Sequence, residues 1–418
     1  MSGTAKRIVV YHPGTQHSVL LARTLVQKGY NASLVTRFET ASAMRQSATT
    51  RLVCRVLARS QTMQRAIENR SAGDVPSFST DTAGVLLDRL IGETLGRSAM
   101  RHFALSRERH SAKAAANLIR RQLHPELVIA HEYSAFELLK ELGTASSVVI
   151  DVAHPHPMEV ERCRRLASAR YPSFQSSWDD APLDASGCER LNQALARATK
   201  VWTASQYTAD SIRKFVDPAI QIDIVGYGVV GIPRSSRLLT YEGRYLFVGA
   251  VGLRKGIPLL LEAWRRSGLA NKGCVLDVVG RDLASQVEAA LAHTIGVRRH
   301  INISAEALRT LLQQADALVS PSYCEGFGRV LIEAVTAGLP FLATRTGGVD
   351  EILGPDLHEW CVDIDDLEGF TELLRRFHGE RSSRADYVDA VLSMRKHWTE
   401  EAYGSRLRYA VEQQFSSN

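Results

Sequence analysis

Two carboxylates eight residues apart, Glu325 and Glu333, frame the stretch of this chain best suited to chemistry: Ser320-Pro321-Ser322-Tyr323-Cys324-Glu325-Gly326-Phe327-Gly328, running on to Glu333. The apolar run Ala317-Leu318-Val319 reads as a buried strand, Glu325 to Gly328 as a loop, and the residues after it as a helix carrying Glu333. Gly326 and Gly328 allow a ligand close to the backbone, whose unpaired N–H groups at a helix start favour anions. Two carboxylates across a loop and a helical turn can each grip a pair of hydroxyls, as a sugar or a ribose presents. The plainer alternative is a capping Glu325 and an ordinary helix-facing Glu333.

A second segment, Phe247-Val248-Gly249-Ala250-Val251-Gly252-Leu253-Arg254-Lys255-Gly256, joins a strand to a helix through a glycine-rich turn. Gly249 and Gly252 shape the turn, and Arg254 and Lys255 can neutralise a diphosphate. It lacks GxxxxGK[ST], so it is no P-loop, and the opening loop His12–His17 lacks GxGxxG, against a nicotinamide dinucleotide site. A third segment, Thr346-Gly347-Gly348-Val349-Asp350-Glu351, opens a further helix, where Gly347 and Gly348 can offer N–H groups to the same phosphates or serve as a plain glycine loop.

The elements that must position these segments alternate strand and helix. Strands are expected at 7–11, 31–36, 127–130, 147–152, 201–203 and 222–225. A second series lies at 245–248, 275–279, 300–303, 317–320, 341–344 and 360–362. Repeated βα units imply parallel, doubly wound sheets, and two series imply two Rossmann-like domains. The first is placed at 1–234 and the second at 235–396, joined near Gly231 to Thr240, with a helix over 397–418 free to pack back on the first. The segment Ser71–Thr80 reads as a turn-rich break and Tyr171–Gly187 as a long surface loop.

At 418 residues, with 45% hydrophobic and 23% charged residues, the chain is an ordinary soluble type long enough for two domains. Its six cysteines form no CxxC pair, so neither a disulfide framework nor a cysteine zinc site is expected. The net charge of +6 is uneven, with fifteen Arg/Lys against seven Asp/Glu between Arg37 and Arg121. Arg51, Arg55 and Arg59 share one helix face there, suited either to an anionic membrane surface or to solvent. No recognition module accompanies this charge, so nucleic acid is not the expected partner. The first apolar run is too short for a secretion signal and none is long enough for a membrane span. The expected location is cytoplasmic, with peripheral contact to the inner membrane surface as a variant.

Together the segments resemble family 4 retaining glycosyltransferases. The markers are Phe247-Val248-Gly249 with Arg254-Lys255-Gly256, then Glu325-Gly326-Phe327-Gly328 with Glu333 in an E-x7-E spacing. Ala337-Gly338-Leu339-Pro340 and Gly347-Gly348-Val349 with Glu351 complete the set, which covers roughly residues 244 to 365. Ser205 and Tyr227-Gly228-Val229 extend the likeness more faintly into the first half. The resemblance implies a GT-B fold, with two Rossmann-like domains facing across a cleft. It also implies transfer, with retention, from a nucleoside diphosphate sugar (UDP- or GDP-linked) to a hydroxylated glycan, lipid-linked or small-molecule acceptor, with no cofactor or metal. Glu325 would hold donor-sugar hydroxyls and Glu333 the ribose. The N–H groups of Phe327 and Gly328 would face sugar or phosphate, and Arg254 and Lys255 would steady the leaving diphosphate. Many members carry arginine where this chain has Ala250, and Arg254 is the candidate replacement. His131 matches a position where the family places a histidine beside the donor sugar. His154 is a second candidate, and Gly14 and His17 are placed at the cleft. The histidine pair His154-x-His156, pointing the same way, would suit a metal only with a third ligand. A sugar-nucleotide epimerase, a non-catalytic sugar-nucleotide-binding protein and a basic membrane-binding protein remain rival readings.

Overall fold

The computed structural model describes residues 5–13, 17–37, 75–81, 106–143, 147–179, 184–232, 241–281 and 284–416. Gly14, the Arg51/Arg55/Arg59 face, Cys54 and the linker residues Pro233, Ser235 and Ser236 lie outside them.

The first sheet contains β1 (Arg7–Tyr11), β2 (Asn31–Thr36), β3 (Ser77–Ser79), β4 (Leu127–His131), β5 (Val148–Val152), β6 (Lys200–Thr203) and β7 (Ile222–Ile224). Their order is β3-β2-β1-β4-β5-β6-β7, all parallel. The central strands are continuous apolar runs because helices cover both faces: Val148, Val149 and Ile150 are all buried. The second sheet contains β8 (Arg244–Val248), β9 (Val275–Val279), β10 (Val297–His300), β11 (Ala317–Ser320), β12 (Phe341–Thr344) and β13 (Cys361–Val362). Its order is β10-β9-β8-β11-β12-β13, again parallel.

Each sheet reverses its winding once, between β1 and β4 in the first and between β8 and β11 in the second. The crevice beyond the strand ends at such a reversal is where open α/β sheets bind ligands. The loop after β1 carries His12 and His17, and His131 is the last residue of β4. The loops after β8 and β11 carry Gly249–Gly256 and Tyr323–Gly328. Both crevices open toward the same cleft.

Three segments differ from the sequence expectation. Ser77–Ser79 is a strand rather than a break. It is short and polar because, among the described strands, it sits at the sheet edge beside β2. The third strand of the second series ends at His300, not Ile303: Ile301 is 51% exposed beyond the edge and misleads an apolar count. The stretch Tyr171–Gly187 is not simply a surface loop. Pro172–Ser177 is a 3-10 helix with Ser177 buried against the second domain, and Asp184 caps the helix Ala185–Arg197 by accepting the Gly187 N–H.

The helix Glu400–Ser416 returns to the first sheet's helices. Gln414 donates to Ser147 Oγ at 3.0 Å, and Lys6 sits over the Phe415 ring at 5.0 Å. Arg406 donates to the carbonyls of Val225 and Tyr227, both at 2.9 Å. Beside it Val229 and Thr399 form a parallel bridge, so the chain's two crossings between the domains lie side by side. Among the described residues no helix is long and apolar enough to cross a membrane.

Candidate active site

On the second domain, Gly256 starts the helix Ile257–Ser267 with φ +71°, and a Cβ there would lie 1.8 Å from the Pro321 carbonyl oxygen. Only glycine lets the Arg254-Lys255 turn press against the β11 loop in this way. As a result both cations converge on one carboxylate. Lys255 Nζ is in direct contact with Glu325, and Arg254 Nη1 lies 3.4 Å from Glu325 Oε2. Burial works to raise the Glu325 pKa, but the charges of Lys255 and Arg254 outweigh it and hold the carboxyl below its ordinary value.

Arg254 also crosses to the other domain. Its Nε meets Asp179 Oδ1 at 2.5 Å and its Nη2 meets Asp179 Oδ2 at 3.0 Å, a two-pronged pair. Sequence reasoning missed Asp179 because nothing in Ser176-Ser177-Trp178-Asp179 marks a site; its role appears only when the domains face each other. Between the two lies a polar cavity of about 250 Å³ lined by residues including His154, Asp179, Arg254, Cys324, Glu325 and Gly326.

The Glu325 loop is held by the first domain. Ser205 Oγ and Thr208 Oγ1 donate to the Gly326 carbonyl at 2.6 and 3.2 Å. A Cβ on Gly326 would lie 1.9 Å from the Ala153 carbonyl oxygen. Phe327 is buried edge-on against Tyr227, ring centres 5.4 Å apart, and the Glu351 carboxylate accepts the Gln206 N–H.

Gly328 does not offer its N–H to a ligand in this arrangement. It donates to the Gly347 carbonyl at 2.8 Å, because Gly347, at φ +58°, turns that oxygen onto it. Gly347 and Gly348 pack against the Glu325 and Phe327 side chains and brace the loop. Gly249 and Gly252 likewise have their N–H groups committed, to the carbonyls of Val279 and Ala250. Glu333, on the helix Arg329–Ala337, is half-buried, and its carboxylate has no hydrogen-bond partner among the described residues. Burial raises its pKa, with Arg329 opposing.

The facing wall is a histidine cluster. Tyr11 pairs with Ala130 across β1 and β4, so the next residues, His12 and His131, stand side by side with ring centres 4.0 Å apart. His131 is 6% exposed, and among the described residues neither ring nitrogen has a hydrogen-bond partner. Burial, reinforced by His12, His17 and His154, pushes its pKa well below the usual imidazole value, so it is neutral at neutral pH. His17 Nε2 meets Asp151 Oδ2 at 2.6 Å. Burial alone would lower the His17 pKa, yet Asp151 holds it above the ordinary value. His154 Nδ1 meets the buried Glu132 Oε1 at 2.5 Å, with the imidazole partly open to the cleft.

His156 is turned away from His154. Its Nε2 bonds Asn192 Oδ1 at 2.9 Å and its Nδ1 accepts the Met158 N–H, because His156 caps the helix Pro157–Arg170 instead of continuing the strand. The predicted site residues thus gather on two walls: Arg254, Lys255, Glu325 and Gly326 on one, His131, His154 and His17 on the other. His12, Glu132, Asp151 and Asp179 join them without having been singled out in the sequence. The pairing of the His12-Pro13 and His131-Glu132 strand ends was the one available signal for the first two.

Residues 233–394 match the family described as Glycosyl transferases group 1. A D-inositol 3-phosphate glycosyltransferase of Arthrobacter sp. (strain FB24) is 26% identical over 291 residues, spanning 66% of this chain and 68% of that one. A sucrose-phosphate synthase from Thermosynechococcus elongatus superposes with a TM-score of 0.65 at 16% identity, covering 99% of this chain and 100% of that one. HepE of Anabaena, solved in complex with UDP and glucose, superposes with a TM-score of 0.60 at 12% identity, covering 97% and 100%.

Proposed function

From the premise that this chain is a glycosyltransferase enzyme with a GT-B fold, we propose that it moves a sugar from a nucleoside diphosphate sugar to a hydroxylated acceptor with retention at the anomeric carbon, in the manner of family 4. The observation that carries this reading is the convergence of Lys255 and Arg254 on Glu325 at the second sheet's winding reversal, opposite the histidine wall. When a donor enters, Glu325 exchanges its cations for sugar hydroxyls. Lys255 and Arg254 then meet the diphosphate and stabilise the charge that leaves with it. Arg254 takes the part that Ala250 cannot play. Glu333, already half-desolvated and without a hydrogen-bond partner among the described residues, receives the ribose hydroxyls.

Retention follows from a front-face displacement in which the leaving diphosphate itself helps take the acceptor proton. His131, neutral at neutral pH, serves as a hydrogen-bond partner for the donor sugar, and His154 is poised beside it. Neither step requires a metal or cofactor. UDP or GDP is the expected nucleotide, in keeping with the UDP held by the HepE structure. The acceptor is a glycan, a lipid-linked sugar or a small polyol such as the one named for the Arthrobacter relative. The basic region 37–121 is proposed to rest on an anionic membrane surface at the cytoplasmic face, a reading that binding to anionic but not neutral vesicles would support.

A thermal-shift screen of UDP, GDP, ADP and CMP sugars tests the donor, since a ligand that binds the native state raises its stability. Glu325→Ala and Lys255→Ala are each expected to abolish transfer while the chain stays folded. Unchanged turnover in either variant would sink the assignment, and conversion of the donor with no acceptor present would point to an epimerase.

A further inference from the structure

We propose that His131, Glu132 and His154 form a binding site for a divalent ion of the zinc class, whose occupation blocks the donor-sugar end of the cleft. The three side chains each offer a ligand atom, all within 4.8 Å of one another. His154 Nδ1 and His131 Nε2 lie 2.5 and 3.9 Å from Glu132 Oε1. Donors around a tetrahedral zinc ion stand roughly 3.3–3.5 Å apart, so the two separations bracket the required spacing. The separation between the two histidine nitrogens is within 4.8 Å, so side-chain shifts on the order of 1 Å would complete the set.

Two further observations point to a ligand. His131 is 6% exposed, with both ring nitrogens unpartnered among the described residues. A buried polar atom left in that state is costly, and a bound ion would take one of the two nitrogens. The Glu132 side chain is 1% exposed, and its carboxylate faces the imidazoles of His131 and His154. Two imidazoles and one carboxylate suit zinc and its neighbours rather than magnesium or calcium. His154, 42% exposed and lining the cavity it shares with Glu325, gives the entry path. Imidazole and carboxylate ligate only when unprotonated, so affinity falls as pH falls.

Ion binding requires no step of transfer, although His131 and His154 are the groups placed beside the donor sugar; only the blocking effect rests on the proposed function. The full-length chain, stripped with a chelator, is titrated with ZnCl₂ by calorimetry in a weakly coordinating buffer. One ion per chain is expected, with His154→Ala and Glu132→Gln each weakening it by at least about tenfold. His293→Ala, at an exposed helix end, is expected to leave it unchanged. Absence of a zinc site, or affinity indifferent to His154→Ala, overturns the proposal, and His154→Ala keeps the test decisive should Glu132→Gln fail to fold. If one zinc binds in this way but donor thermal shifts are the same with and without it, the blocking effect is overturned while the ion site stands. Loss of transfer activity in metal-free protein would count against the proposed function, not against the ion site.

Discussion

Replacing Gly326 with alanine tests whether the two domains must close on the Glu325 loop. The added Cβ would lie 1.9 Å from the Ala153 carbonyl oxygen, 2.9 Å from its carbon and 3.0 Å from His154 Cα. All three are backbone atoms, so no side chain can rotate away, and the domains must part by on the order of 1 Å. Gly326 does not have a left-handed φ, so the conflict is purely one of space. Parting also breaks the bonds from Ser205 and Thr208 to the Gly326 carbonyl. Overpacking costs about 1–3 kcal/mol and each lost hydrogen bond about 0.5–1.5, giving roughly 2–6 kcal/mol against the closed arrangement. At about 1.4 kcal/mol per factor of ten, turnover should fall by roughly 30-fold or more. Each domain keeps its own core, so circular dichroism should be unchanged while small-angle scattering reports a more open particle. A kcat within about twofold of wild type, with unaltered scattering, would refute the reasoning. Ser205→Ala, which removes the bond to the Gly326 carbonyl and the helix cap that Ser205 Oγ provides by accepting the Thr208 N–H, but adds no clash, should cost about 1–3 kcal/mol.

Glu333→Gln should raise the donor KM by about tenfold or more, as loss of a charged hydrogen-bond acceptor does, while the melting temperature holds or rises slightly. The sign follows from its raised pKa: the native state prefers the carboxyl protonated, so the charge it carries at neutral pH is a burden. Asp179→Asn should lower the donor KM several-fold, about 1 kcal/mol, by releasing Arg254 to the diphosphate; a higher KM would mean that Asp179 helps binding instead. The His17 pKa is raised in the native state, so the stability it contributes through Asp151 is fully present below about pH 6.5. That stability is lost as pH rises through the raised value. The melting-temperature deficit of Asp151→Asn should therefore be larger at about pH 5.5 than at about pH 9, and a deficit independent of pH would exclude this account.

Much of the second domain is legible because local chemistry and global position coincide there. Each of its motif-bearing turns directly follows a buried apolar strand, so spacing along the chain already implies convergence in space. The conformation of Gly256 makes the same point, since only glycine could complete the Arg254-Lys255 turn. The first domain is harder to read. Its site consists of single residues at the ends of strands far apart in sequence, as with His12 and His131, and nothing local distinguishes them from packing histidines. Asp179 was hidden for a different reason: its partner belongs to the other domain. His156 was misjudged because strand alternation stops at Val152, and the residue becomes a helix cap. The edge strand Ser77–Ser79 carries almost no apolar signal, since an edge position demands little burial.

The returning helix Glu400–Ser416 also bears on how this molecule is made. The first domain is covered by a segment that leaves the ribosome only after the whole second domain has been synthesised. Gln414 meets Ser147 and Arg406 meets Val225 and Tyr227 across those intervening residues. The second domain, contiguous in sequence, can fold while translation continues, whereas the first must wait with its Arg406 contacts unmade. The domain begun first is therefore the last to be completed. A stalled chain ending before residue 400 would present a finished second domain beside an uncovered first one.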